Sequence, residues 1–352
     1  MRWDWKSSTP FAPRRVGSHH ACILLRLAAL SGFALIVSCG PNPSARGGNS
    51  KPCLTTPEAK RAPSTAGMVH IGGGDFIMGA KPMHSEEGPP RQTHVGSFWL
   101  DETEVTNRDF ARFVEATGYV TLAERPLDPA QYPGLPPDQL KPSSLVFVGA
   151  NDLSAGPGRW WAVIAGADWR HPQGPGSSIA GREMWPVVQV GWEDAMAYAR
   201  WLGRDLPSEA EWEYAASVVT DAPVNAPTAN VWQGIFPVYD AGTDGYKAET
   251  APVGCYRANR YGLHDMAGNV WEWVRDWYEP GLDPADASGA GPQEANDPRD
   301  PGVPKHVIKG GSFLCADNYC LRYRPPAREA GPPDTGSSHI GFRTLRRDPA
   351  NP

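Results

Sequence analysis

Lys309-Gly-Gly-Ser-Phe-Leu-Cys-Ala-Asp-Asn-Tyr-Cys-Leu-Arg-Tyr-Arg324 sets two cysteines, Cys315 and Cys320, five residues apart among aromatic and basic side chains. A close thiol pair of this kind either closes a small disulfide loop or offers two sulfur donors to a soft metal. The first reading makes the protein a scaffold and the second makes it an enzyme. Crosslinking so short a loop removes little entropy from the unfolded chain, so stability alone is a weak reason for a disulfide here. An exported location would nevertheless permit one.

The 352 residues are enough for one large domain or two ordinary ones. A net charge of −6, with no basic patch carrying interleaved aromatics, argues against nucleic acid as a partner. With 38 Gly, 37 Pro and 14 Trp, the composition points to a loop-rich fold whose irregular backbone is pinned by large aromatic anchors. None of the nine His forms a His-x-x-x-His or His-Glu-x-x-His pair, which weighs against a zinc hydrolase. There is no nucleotide-binding glycine loop and no Gly-x-Ser-x-Gly elbow.

Basic residues Arg14, Arg15 and Arg26 precede an apolar run from Leu27 to Val37, the length of a signal core and too short to span a bilayer. The run ends at Ile36-Val-Ser-Cys39-Gly, which resembles a bacterial lipobox with Cys39 as the lipidated residue; an ordinary signal peptide is the alternative. Residues 1–39 are therefore expected as signal, and 40–66 as a Pro/Gly/Ser-rich tether. The folded domain is expected at 67–347, with 348–352 as a tail. The protein would be exported, touch a membrane only through its lipid anchor and act as a monomer. Cys53 reads as incidental to the tether, and Cys255 as a free, buried or half-buried thiol.

Met68-Val-His-Ile-Gly-Gly-Gly-Asp-Phe-Ile-Met-Gly79 reads as strand residues around a glycine hairpin turn. Phe98–Val105 reads as a strand leading into a helix capped by Thr106 and Asp109, with Phe110, Phe113 and Val114 on one face and Gly118 at its end. A second helix is expected from Glu193 to Leu202, stopped by Gly203, and a third from the Ser208/Glu211 capping box through Ala216. Segments 125–160 and 279–304, rich in Pro, Asp and Gly, read as surface insertions.

Several of these landmarks together resemble the formylglycine-generating enzyme (sulfatase-modifying factor) family. They are Gly73–Gly79, Glu104-Val-Thr-Asn107, Gly118–Glu124, Leu206-Pro-Ser-Glu-Ala-Glu-Trp-Glu-Tyr214, Tyr261-Gly-Leu-His-Asp-Met-Ala-Gly-Asn-Val-Trp-Glu-Trp273, Gly310-Gly-Ser312 and Gly341-Phe-Arg343. The resemblance covers about residues 67–347 and implies an α+β domain, a variant of the C-type lectin fold with few helices, small antiparallel sheets and much ordered loop. It further implies that Cys315 and Cys320 bind Cu(I). A client sulfatase would present the cysteine of a Cys-x-Pro-x-Arg motif, and dioxygen would oxidise that cysteine to Cα-formylglycine. By the same resemblance Ser312 contacts the oxygen species, Tyr319 and Trp271 orient the site, and Arg322 supports it. Gly166–Pro172 after Trp160-Trp161 resembles the family's substrate-groove segment, and Asn230–Val238 also follows the active members.

Two oxygen-rich sets match the family's structural Ca²⁺ sites: Asn230 and Asp244 with carbonyls of Val231 and Tyr246, and Asp265 and Glu272 with carbonyls of Gly268 and Val270. The commoner fate of such acids beside glycine is to cap turns. One departure stands out. Active members usually carry His-Arg-Ser where this chain has Ala316-Asp317-Asn318, which puts an acid where the family carries base. That difference keeps two alternatives open, a lectin-like binding or regulatory protein on the same scaffold and an oxidase of another substrate.

Overall fold

The computed structural model describes residue 53 and, from 64 to 349, all but 131, 155, 218–227, 280–296, 298–299, 301–302 and 332–333. The signal-like segment with Cys39, most of the tether and most of the 279–304 insertion lie outside the described residues.

Helices form where capping chemistry meets an apolar stripe. Helix α1 (Asn107–Thr117) begins at Thr106, whose hydroxyl accepts the Asp109 N–H, and ends at Gly118 with φ 68°. Phe110, Phe113 and Val114 are buried along it, as the spacing predicts. Helix α2 (Trp192–Trp201) is followed by Gly203 at φ 68°, and its first turn is held by Asp194, which accepts the Gly191 N–H at 2.8 Å. Helix α3 (Glu209–Ala216) carries the full capping box: Ser208 Oγ accepts from Glu211 N, and the Glu211 carboxylate accepts from Ser208 N at 2.6 Å.

The strands make small sheets rather than one large one. Strands β1 (Met68–Ile71), β4 (Phe98–Asp101) and β13 (Leu345–Arg347) pair antiparallel in the order β1-β4-β13, while β2 (Gly74–Met78) pairs with β3 (Arg91–Val95). The triple glycine is therefore no hairpin turn; it carries the chain from one sheet to another. Gly73 sits at φ 65°, and a Cβ there would lie 2.5 Å from the Val95 carbonyl oxygen, so only glycine fits the crossing. Strand β5 (Ser143–Phe147) pairs with β6 (Trp161–Ala165), and β7 (Gly234–Ile235) with β8 (Tyr239–Asp240). The 125–160 segment is thus only partly an insertion, because β5 buries Ser144 and Val146. The largest sheet runs β11 (Arg328–Gly331), β10 (His306–Lys309), β9 (Trp271–Trp277), β12 (Ile340–Gly341); only β12 joins it parallel.

Large aromatics fix these pieces to one another. Trp273 and Trp212 are fully buried in two apolar clusters, the first gathering α1, α2 and β9 and the second gathering α3, β1 and β4. A third cluster joins Trp160, Trp232, Phe236, Phe313 and Leu314 beneath the cysteine loop. His306 is stacked between Trp192 and Trp277, ring centres 3.8 and 3.7 Å away. Buried charge is paired: Arg343 and Glu272, both fully enclosed, meet at 2.7 Å through two hydrogen bonds.

Two readings of the cysteines are corrected. Cys53 is not incidental and Cys255 is not free, because they form a disulfide that spans 202 residues of sequence. The spacing gave no hint of it, since the partners are brought together only by the folded domain. Asp348, assigned to the tail, is likewise held by His70, Ser97 and Trp99.

Candidate thiol site

The cysteine loop owes its shape to a close backbone approach. Gly311, at φ 74°, lies against the backbone of Arg322 and Tyr323, where a Cβ would meet their atoms at 2.9 Å. This contact folds residues 311–315 back on 320–323. The turn between them is gathered on one acceptor: the Ala316 carbonyl takes the N–H groups of Tyr319 and Cys320 at 3.1 Å and of Leu321 at 3.3 Å. Cys315 is fixed from both sides, its N–H donating to Ser312 O at 2.9 Å and its carbonyl accepting from Trp232 N at 3.0 Å.

Both thiols are free, Cys315 buried and Cys320 half-buried. They hydrogen-bond each other, and the contact divides their roles. The bond from Cys315 holds the Cys320 thiol below the ordinary thiol range, helped by backbone contacts at Arg322 and Ala316 and by the Arg322 charge. Burial pushes Cys315 well up, and the same hydrogen bond raises it further. Of the two thiols, the more accessible one is therefore the easier to ionise.

The other predicted site residues surround this pair. Tyr319 is 53% exposed, stacked on Phe236 at 4.3 Å and edge-on to Trp160 at 5.4 Å. It stands at the surface with one aromatic face already supported. Trp271 is buried in the same apolar cluster as Cys315, and its N–H donates to His339 O at 2.9 Å. Ser312 is fully buried, its hydroxyl accepting the Leu314 N–H at 3.3 Å. Arg322 spends its two terminal nitrogens on Glu86 and on Glu329, the latter at 2.9 Å. Asp317, the acid that departs from the family pattern, accepts the Tyr323 hydroxyl at the surface.

Segment 230–238 reaches the site through Trp232 and Phe236. Segment 166–172 contributes less: Asp168 is spent on its own turn, accepting from Arg170 N and His171 N, and Arg170 pairs with Glu124. Only Pro172 lines the neighbouring cavity of about 490 Å³, together with Phe147, Ile179, Trp185, Lys247 and Phe313.

The calcium sets fare differently. Asn230, Val231, Asp244 and Tyr246 are gathered, with the Asp244 carboxylate accepting the N–H groups of Val231 and Tyr246 at 3.1 Å. Burial is the main cause that raises the Asp244 carboxyl. In the second set the Glu272 carboxylate pairs with Arg343 and accepts the Trp212 indole N–H. Asp265 Oδ1 is buried without a partner, as is Glu104 Oε2, and burial with mutual repulsion pushes Glu104 well up. Glu104 is the acid that faces Asp265; it lies in the Glu104-Val-Thr-Asn107 stretch, which gave no sign of that partner. Among the described residues no three His, Cys, Asp or Glu side chains cluster to hold a metal, so carbonyl and amide oxygens would have to complete either cation site.

Few helices, small sheets and an ordered loop carrying two free thiols define an α+β domain of the C-type-lectin-like variant. The solved structure of PvdO from Pseudomonas aeruginosa shares that fold, with a TM-score of 0.51 at 23% identity, covering 85% of this chain and all of PvdO. The family profile for the Sulfatase-modifying factor enzyme 1-like domain matches residues 54–348, and the chain belongs to that family. Among relatives, the formylglycine-generating enzyme of Mycobacterium tuberculosis is 45% identical over 295 residues, 79% of this chain and 97% of the relative. An inactive C-alpha-formylglycine-generating enzyme 2 of Mus musculus is 34% identical over 78% of this chain and 84% of its own.

Proposed function

We propose that the protein oxidises a cysteine of a client sulfatase to Cα-formylglycine, with Cu(I) held by Cys315 and Cys320 and dioxygen as the oxidant. The observation that carries this reading is the pair of free, adjacent thiols on one short loop, Cys315 buried and Cys320 half-buried. Among the described residues no third His, Cys, Asp or Glu side chain joins the two sulfurs in a metal-holding cluster, and two sulfur donors suit a low-coordinate soft ion. When bound, Cu(I) would supply affinity for a further thiolate and reactivity toward dioxygen.

The chain's own residues divide the remaining work. Cys315 is walled off from water by the apolar cluster that includes Trp271, while Cys320 stays open to an incoming peptide. Tyr319, exposed and backed by Phe236 and Trp160, offers a flat face to the peptide beside the substrate cysteine. The cavity beside Phe313 extends that surface and offers Lys247, Arg182 and Glu249 to polar side chains. Ca²⁺ at the Asn230/Asp244 set would brace the loop that carries Trp232. The Ile36-Val-Ser-Cys39 run supports export with a lipid anchor, and the Cys53–Cys255 disulfide supports an oxidising compartment.

The test uses the full chain, reduced, loaded with Cu(I) and incubated in air with a peptide containing Cys-Thr-Pro-Ser-Arg. Formylglycine formation is read as the mass change from thiol to aldehyde, with Cys315→Ala as control. Conversion by the wild type alone supports the proposal. A Cys315–Cys320 disulfide that excludes copper, with no conversion, replaces it with a binding protein, the reading that Ala316-Asp317-Asn318 favours.

A further inference from the structure

The loop between β2 and β3 reaches across the molecule and grips the second cysteine. Its tip, Ser85–Glu87, is a single turn of 3-10 helix. Three successive contacts run from it to the segment Cys320–Arg324. His84 Nε2 meets the Cys320 carbonyl oxygen at 3.2 Å, the Glu86 carboxylate takes an Arg322 terminal nitrogen, and the Glu87 carboxylate takes Arg324. The loop is itself fastened down: Glu87 Oε2 accepts the Met83 N–H at 2.7 Å, and Arg328 donates to the Glu86 carbonyl.

What the loop grips is strained. Leu321, between the two gripped residues Cys320 and Arg322, has φ 48°, in the left-handed region. For a side chain such as leucine that conformation is unfavourable and persists only where the surroundings impose it. Without outside contacts, Leu321 would relax toward negative φ, which rotates the peptide planes that carry Cys320 and Arg322. His84 holds the residue before the strained position and Glu86 holds the residue after it.

We infer that the His84–Glu87 loop is a positioning strap for the Cys320 sulfur, with His84 acting through the Cys320 carbonyl and Glu86 through Arg322. The strap keeps the strained turn in the one conformation that sets Cys320 against Cys315. His84 and Glu86 touch neither thiol; they decide where the second one stands. The inference deepens the copper reading, but its consequences for thiol geometry hold whether or not the peptide is turned over.

The experiment takes the reduced full-length chain as wild type, His84→Ala, Glu86→Gln and the donor-retaining His84→Gln. Iodoacetamide alkylation followed by peptide mapping gives separate rates for Cys315 and Cys320. Cu(I) affinity is read by competition with a chromogenic chelator, and thermal unfolding monitors the fold. With the strap released in His84→Ala or Glu86→Gln, the ratio of Cys320 to Cys315 alkylation rises. Cu(I) affinity falls by about tenfold, the size of effect outer contacts exert on metal ligands. His84→Gln stays near wild type. Unchanged ratio and affinity in both variants overturn the inference. So does a fall in the unfolding temperature with both cysteines accelerated alike, which would make the loop merely structural. Neither readout needs turnover, so an inactive enzyme with a working strap and an active enzyme without one are distinguishable.

Discussion

Arg343 shows how much of this molecule hangs on single buried charges. Its guanidinium holds Glu272 through two nitrogens and also donates to the carbonyl oxygens of Asp101 and His264. It thereby ties β9 to the ends of β4 and of the 261–268 loop. A buried pair of this kind adds little against an apolar replacement, yet breaking it strands a charge at a cost of about 3–5 kcal/mol. Arg343→Met should therefore lower the free energy of urea unfolding by that amount. Arg343→Met combined with Glu272→Gln should recover part of the loss, since no lone carboxylate is left behind. If the single variant unfolds like wild type, the pair is not the tie described.

At the scale of elements, what was local in the sequence was legible and what was long-range was not. The caps of α1 and α3 act within three residues, so Thr106/Asp109 and Ser208/Glu211 announced both helices. Thr106→Ala removes the hydroxyl that accepts the Asp109 N–H, and a loss of about 1 kcal/mol, read in thermal unfolding, is expected. The strand pairings were misread at the triple glycine because β1 pairs with β4 rather than with β2, and β4 in turn takes β13, more than two hundred residues further on. The thiol pair and its aromatic companions were legible because Cys315, Tyr319 and Cys320 share one short loop. His84 and Glu86 were not, since each acts on residues far along the chain and its own neighbours carry no motif. The partner of Glu272 was equally hidden, because Arg343 meets it from more than seventy residues away.

Over the whole molecule, pH acts through groups enclosed in their unfavourable form. His306, sandwiched between two tryptophans, is driven down to about 4 by burial, and His339 to about 3 by the same cause. A depressed histidine is neutral in the fold while the unfolded chain protonates near 6.5, so its contribution is present above that pH. It is lost as pH falls from about 6.5 toward the folded value. Asp194 and Asp276, raised to about 6 chiefly by burial, work in the opposite sense. Their contribution is present below the ordinary carboxyl value and is lost as pH rises through about 6. Between pH 6 and 4 the two sets partly cancel. His306→Phe should keep the stack while deleting one of the acid-sensitive members. Its unfolding temperature is expected to drop less than that of wild type between pH 7 and pH 5, and an equal drop would show that His306 is not among the groups responsible.

The disulfide also settles where the domain bears load. Any pull on the chain ahead of residue 53 passes through sulfur into residue 255 and leaves residues 54–254 slack. The short edge strand β1, only four residues long and near the start of the folded chain, is therefore spared from peeling off its sheet. Tension enters instead beside Gly254, whose N–H is held at 2.6 Å by Asp265. A domain fastened this way can be pulled from the chain ahead of Cys53 without unzipping, and reduction of one bond would move the point of attack back to β1.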